Sequence, residues 1–183
     1  MSTATQDAIT TKLERSFEAM DADQNGYVDW SDYQRLADRY LQAYKLGKDD
    51  RRARALTAFF QMYWLELMRH SGAEGDRLTK DQYVTAKRLT SIDTSRLNVA
   101  EGAGHAIFDI MDVDGDNEIS KAEFARFLKD VCRISAPDAM ETFSMLDTDG
   151  DGAISRQEFI RAVREHFFSN DPDAPGSLIL GHI

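Results

Sequence analysis

Three windows of twelve residues place oxygen-bearing side chains at alternate positions: DADQNGYVDWSD from Asp21 to Asp32, DVDGDNEISKAE from Asp112 to Glu123, and DTDGDGAISRQE from Asp147 to Glu158. They carry −4, −4 and −3, while the whole chain of 183 residues is −10, so everything outside them is close to neutral at +1. Carboxylates concentrated in this way repel one another unless a cation sits among them. An oxygen-only donor set with several carboxylates suits a hard divalent ion, and calcium takes about six to eight such ligands.

The window at Asp147 matches the EF-hand calcium loop at every diagnostic place. Asp147, Asp149 and Asp151 supply carboxylates, Gly152 permits a sharp left-handed turn, Ala153 offers its carbonyl, Ser155 positions a water, and Glu158 closes the shell with two oxygens. The window at Asp112 repeats this with Asp112, Asp114, Asp116, the carbonyl of Glu118, Ser120 before a water, and Glu123. Asn117 stands where the turn glycine is usual, and asparagine enters the left-handed region more readily than most residues. The first window offers Asp21, Asp23, Asn25, the carbonyl of Tyr27, and Asp29. Its closing residue is Asp32, one methylene shorter than glutamate, which suits six-coordinate Mg²⁺ better than seven-coordinate Ca²⁺.

Helices must hold these loops. Apolar residues recur at three- and four-residue steps, and the three prolines stand only at positions 137, 172 and 175, so the chain is expected to be all-α. The pattern predicts helices ending at Met20, spanning Tyr33 to Tyr44 with a stop at Gly47, and spanning Asp49 to His70. Others fall near Lys80 to Leu89, Val99 to Met111, Ala122 to Val131, Pro137 to Leu146 and Gln157 to Phe168. The chain repeats as helix, loop, helix four times, with an aromatic residue opening each exit helix: Tyr33, Tyr83, Phe124 and Phe159. The second loop, Ser71 to Gln82, has Ser71, Ala73, Gly75 and Gln82 at the ligand places and forms no carboxylate cage. It is expected to be a structural partner, with Leu78 pairing Val28 as Ile119 pairs Ile154.

With these loops in place, the sequence resembles the calmodulin superfamily, and within it the sarcoplasmic calcium-binding proteins and calerythrin. The resemblance runs from about Ile9 to Phe168 and includes the defunct second loop, the Asp closing the first, and the tail DPDAPGSLILG. It implies two EF-hand pairs packed into a compact globule, three divalent sites, and a role in buffering or carrying Ca²⁺. The corresponding divisions are 1–95 for an N-terminal pair, 96–169 for a C-terminal pair and 170–183 for a tail, in which Leu178, Ile179 and Leu180 are expected to fill a groove between the lobes.

The remaining residues point away from other chemistries. His70, His105, His166 and His182 share no short spacing with each other or with Cys132, which argues against zinc or a nucleophilic triad, and no enzymatic activity is expected. A single cysteine and a start without an apolar signal segment suggest a cytoplasmic, disulfide-free protein. Acidity disfavours nucleic acid, and no run is long enough to span a membrane, so the expected partners are calcium ions, with Mg²⁺ competing most at Asp21 to Asp32, and the chain is expected to be monomeric. The alternative to a buffer is a sensor that opens a groove on a target protein, for which Met20, Met111, Met140 and Met145 are candidate lining residues.

Overall fold

The computed structural model describes residues 3–92, 97–134, 136–169, 171 and 176. Among the described residues, eight α-helices run α1 (Thr3–Met20), α2 (Trp30–Tyr44), α3 (Arg51–Ser71), α4 (Lys80–Ile92), α5 (Leu97–Met111), α6 (Lys121–Phe127), α7 (Ala136–Leu146) and α8 (Arg156–Phe168). Between them lie four short strands, β1 (Val28–Asp29), β2 (Arg77–Leu78), β3 (Glu118–Ser120) and β4 (Ala153–Ser155). This is the all-α globule that the hydrophobic spacing predicts. Its two small antiparallel sheets pair Val28 with Leu78 and Ile119 with Ile154, as the sequence suggests, and all four side chains are fully buried. Each sheet is too short to be stable alone, so its register depends on the helices that carry the loops.

The exit helices begin earlier than their aromatic residues, at Trp30, Lys80, Lys121 and Arg156, because the residue before each helix or within its first turn caps the backbone. Asp29, Ser120 and Ser155 accept hydrogen bonds from amides of the following turn, which would otherwise lack partners. Tyr33, Tyr83, Phe124 and Phe159 then stand fourth in their helices and are buried. Helix α2 stops at Lys45, which adopts a left-handed conformation with φ 53°, two residues before the predicted stop at Gly47. The predicted helix Ala122 to Val131 divides instead into α6 and a wider π turn at Leu128–Cys132, closed by left-handed Arg133.

The core runs without a break through both halves. Tyr33, Tyr40, Phe59, Phe60, Tyr63 and Trp64 fill the N-terminal side, with neighbouring rings 5.6–6.4 Å apart, and Phe108, Phe124, Phe127, Phe143 and Phe159 fill the other. Tyr40 meets Phe127 at 5.9 Å across the junction. Two arginines clasp the halves: Arg39 donates to the Val131 carbonyl at 3.1 Å, and Arg126 donates to the Ala43 carbonyl at 2.6 Å while lying over the Tyr44 ring. Helix α5 also approaches α8 closely. A Cβ on Gly104 would stand 2.6 Å from Ile160 Cδ1, so this crossing requires glycine or a shift of Ile160.

At the end of the described chain, Gly176 is buried against α8, where its N–H donates to Glu165 at 3.0 Å. Leu178, Ile179, Leu180 and His182 lie outside the described residues. Cys132 is half-buried, and burial pushes its thiol up to about 12. Burial together with the ammonium groups of Lys12 and Lys87 lowers His166 to about 3, so its imidazole is neutral near pH 7.

Candidate metal centres

Each loop shapes itself with its own carboxylates. The first-position aspartate accepts from the amide of position six in all three: Gly26 to Asp21 at 2.9 Å, Asn117 to Asp112 at 3.0 Å and Gly152 to Asp147 at 3.0 Å. The third position accepts from the fifth, at 3.3, 3.2 and 3.2 Å, and the fifth accepts from the seventh, at 2.9, 2.9 and 3.0 Å. Aspartate and asparagine are short enough to make such turns with nearby backbone. Thus the residues that the sequence offers as candidate ligands also bend the chain that brings them together.

Position six is left-handed in each loop: φ is 84° at Gly26, 67° at Asn117 and 94° at Gly152. Asn117 therefore does what the sequence reading asks of it. Position four is left-handed too, at Gln24, Gly115 and Gly150, a requirement that the sequence reading missed although two of the three residues are glycine. Gln24 bears the cost there, roughly 1–2 kcal/mol for a residue with a Cβ.

Convergence differs between loops. Asp112, Asp114 and Asp116 bring one carboxylate oxygen each within 4.8 Å of one another, as do Asp147, Asp149 and Asp151. Oxygens on opposite sides of a calcium ion stand about 4.6–5.2 Å apart, so both trios fit one ion. The first loop contributes Asp21 and Asp23 with the amide oxygen of Asn25, and places Asp29 at the head of α2, where one of its oxygens accepts from Ser31 at 2.7 Å. Hydrogen bonding from Ser31, its side chain first and then its backbone, lowers the Asp29 pKa against the effect of burial. Tyr27, Glu118 and Ala153 stand at position seven, each with its N–H held by the fifth residue.

The closing carboxylates separate the loops most clearly. Glu123 spans its loop: one oxygen accepts from the Val113 amide at 2.8 Å and the other from Ser120 at 2.9 Å. Glu158 does likewise with the Thr148 amide at 2.9 Å and the Ser155 amide at 2.8 Å. Burial alone would raise the pKa of Glu158, but the hydrogen bonds from Ser155 and Thr148 outweigh it and hold the carboxyl at about 2. Asp32 has the Asp29 amide at 2.8 Å on one oxygen, and its other oxygen meets the guanidinium of Arg35. Burial raises the Asp32 pKa, against the pull of that amide and of Arg35.

In the second loop Ser71 ends α3, donating to the Met68 carbonyl at 2.9 Å and accepting from Ala73 at 3.0 Å. Gln82 accepts from the Thr79 amide at 3.0 Å. The loop keeps the strand of its partners but neither their left-handed fourth and sixth residues nor their carboxylates at the ligand places, and it contributes Leu78 to the sheet.

The chain carries EF-hand domains. The model of an EF-hand domain pair matches residues 103–166, and that of an EF hand matches residues 13–37. Together with the two converging trios they support calcium binding. Among solved structures, the chain is similar to a Streptomyces coelicolor calcium-binding protein described as a basis of prokaryotic calcium-mediated regulation, at 26% identity over 89% of this chain and 99% of that one, with a TM-score of 0.73. It shares its fold with calcium-loaded apo-aequorin from Aequorea victoria, at 22% identity, 91% and 94% coverage and a TM-score of 0.76. Another neighbour is the magnesium-loaded ctenophore photoprotein apo-berovin, at 19% identity, 85% and 86% coverage and a TM-score of 0.70. No curated protein sequence matches the chain significantly. Among the described residues, no helix is long and apolar enough to cross a membrane.

Proposed function

We propose that the protein is a calcium buffer or carrier of the cytoplasm, acting as a monomer without catalysis, with three divalent sites. The ligands would be Asp21, Asp23, Asn25, Tyr27, Asp29 and Asp32 in the first; Asp112, Asp114, Asp116, Glu118 and Glu123 in the third loop; and Asp147, Asp149, Asp151, Ala153 and Glu158 in the fourth. The observation that carries this reading is the hydrogen-bond pattern common to the three acidic loops, which the Ser71 to Gln82 loop lacks. The clasp of Arg39 and Arg126 favours a buffer, because a sensor must part its helices to expose a groove. The pairs 1–95 and 96–169 would then work as one body, with the tail division 170–183 meeting α8 at Gly176. Competition by Mg²⁺ is part of the proposal, and berovin, whose three calcium-binding loops bind magnesium, supports it by analogy of fold.

A sensor is the second reading, favoured by the likeness to a Streptomyces protein of calcium-mediated regulation. Calorimetry with Ca²⁺ and a scattering and apolar-dye comparison with and without the ion separate the two. Three ions bound, a raised melting temperature and little change in shape or dye binding are expected. An ion at Ser71 to Gln82, or none at Asp147 to Glu158, defeats the site assignment, and a large gain in dye binding turns the reading to a sensor.

A further inference from the structure

All three acidic loops are followed, three residues beyond the closing carboxylate, by an arginine: Arg35, Arg126 and Arg161. Equal places in the repeat lead to unequal partners. Arg126 turns away from its loop to the Ala43 carbonyl and the Tyr44 ring. Arg161 reaches the hydroxyl of Thr148 at 2.6 Å. Arg35 alone among them enters its own cage, where one nitrogen meets both Asp23, at 3.2 Å, and Asp32.

We propose that Arg35 is a tethered competitor of the divalent ion at the first loop, and that it, together with the short Asp32, sets that site's affinity below those of the other two. The inference rests on the first loop being a divalent site. Asp23 and Asp32 stand at positions three and twelve, so the guanidinium draws on two carboxylates that an ion needs. Each gives Arg35 one oxygen while the other accepts a backbone amide, from Asn25 for Asp23 and from Asp29 for Asp32. Among the described residues, no cationic side chain forms an ion pair with Asp112, Asp114, Asp116, Glu123, Asp147, Asp149, Asp151 or Glu158. An ion entering the first loop must therefore displace a charge already there, whereas among the described residues no such ion pair stands in the other two.

The side chain has somewhere to go. Arg35 is exposed and borders an open groove between α2 and α3 that also holds Trp30, Asp38 and Leu41. Asp38, one turn along the same helix, can take the guanidinium once Asp23 and Asp32 turn to the ion. The exchange keeps the arginine paired in both states, so it tunes affinity without barring the site.

The test is calcium calorimetry on the full chain and on Arg35→Gln, with Arg126→Gln and Arg161→Gln as controls and Trp30 fluorescence reporting the first loop. Removing one cation at this range should tighten Ca²⁺ at the first loop about tenfold, with little change in the first loop for either control. A second readout separates competition from mere support of the fold. Arg35→Gln should lower the melting temperature of the calcium-free protein, because Asp23 and Asp32 lose their counter-ion, and restore it when calcium is added. Arg35→Lys, which keeps the charge, should bind more like the unaltered chain. First-loop affinity that is unchanged or weaker in Arg35→Gln overturns the competition while leaving the site in place. If the other two loops titrate and the first takes no ion in either protein, the site itself falls, and the competition with it; binding only in Arg35→Gln is the inference in its strongest form.

Discussion

The first and fourth loops differ by one methylene at the closing place, and the way each loop is closed follows from it. Glu158 is long enough to cross from α8 to the Thr148 amide on the far side of its loop, so the entering and exit segments are tied before any ion arrives. Asp32 stays on its own side, capping α2 through the Asp29 amide, and its remaining oxygen is met by Arg35. A closing carboxylate that spans the loop is preorganised for an ion, and one that does not is neutralised by its neighbours.

The contrast can be broken at several points. The largest effect is expected at Leu78, the fully buried partner of Val28 in the loop without a cage: Leu78→Ala should cost about 2–5 kcal/mol of stability. Thermal or denaturant unfolding measures it, and a negligible loss would show that the second loop does not support the first. Next, Glu158→Gln should weaken Ca²⁺ at the fourth loop by roughly 100-fold, because a bidentate charged ligand becomes a neutral one. Calorimetry should find the first loop nearly untouched. Asp32→Glu works in the opposite direction. It should tighten Ca²⁺ at the first loop by roughly tenfold or less and reduce competition by Mg²⁺, and an unchanged preference in excess Mg²⁺ would mean that the closing side chain does not set selectivity.

The smallest effect is one of pH. Burial raises Asp32 from its ordinary value and hydrogen bonds hold Glu158 at about 2, so a proton competes earlier for the first loop. As pH falls from 7, Ca²⁺ should leave the first loop before the fourth, which Trp30 fluorescence beside a fourth-loop probe can follow. In the calcium-free protein the sign for Glu158 is that of a depressed acid. Its stabilisation is complete above an ordinary glutamate value of 4.5 and disappears as pH falls through about 2.

Much of this contrast is readable in the sequence because it is local. The spacing of Asp147, Asp149, Asp151, Gly152 and Glu158 fixes both turn and donors within twelve residues, and the shortness of Asp32 is visible in its name. Pairing of Val28 with Leu78 follows from equal places in a repeat. What escapes the reading is decided by packing. Periodicity cannot distinguish a helix that ends in a π turn, as at Leu128–Cys132, from one that runs on, since both bury the same face. Lys45 ends α2 before Gly47 because Leu46 turns back to the Leu41 carbonyl at 2.8 Å. The three arginines that follow the loops are alike in sequence, and only the neighbours that the fold supplies make Arg35 a partner of the cage and Arg126 a clasp.

That clasp has a consequence for how freely the chain can vary. Arg39 and Arg126 both donate to backbone carbonyls, those of Val131 and Ala43. A carbonyl oxygen belongs to every amino acid, proline included, so the receiving end of each bond does not depend on which residue stands there. Substitution scanning across the junction should therefore be one-sided. The two arginines should tolerate almost nothing, Ala43 should accept many replacements, and Val131, which is buried, should be restricted only by the space around its side chain.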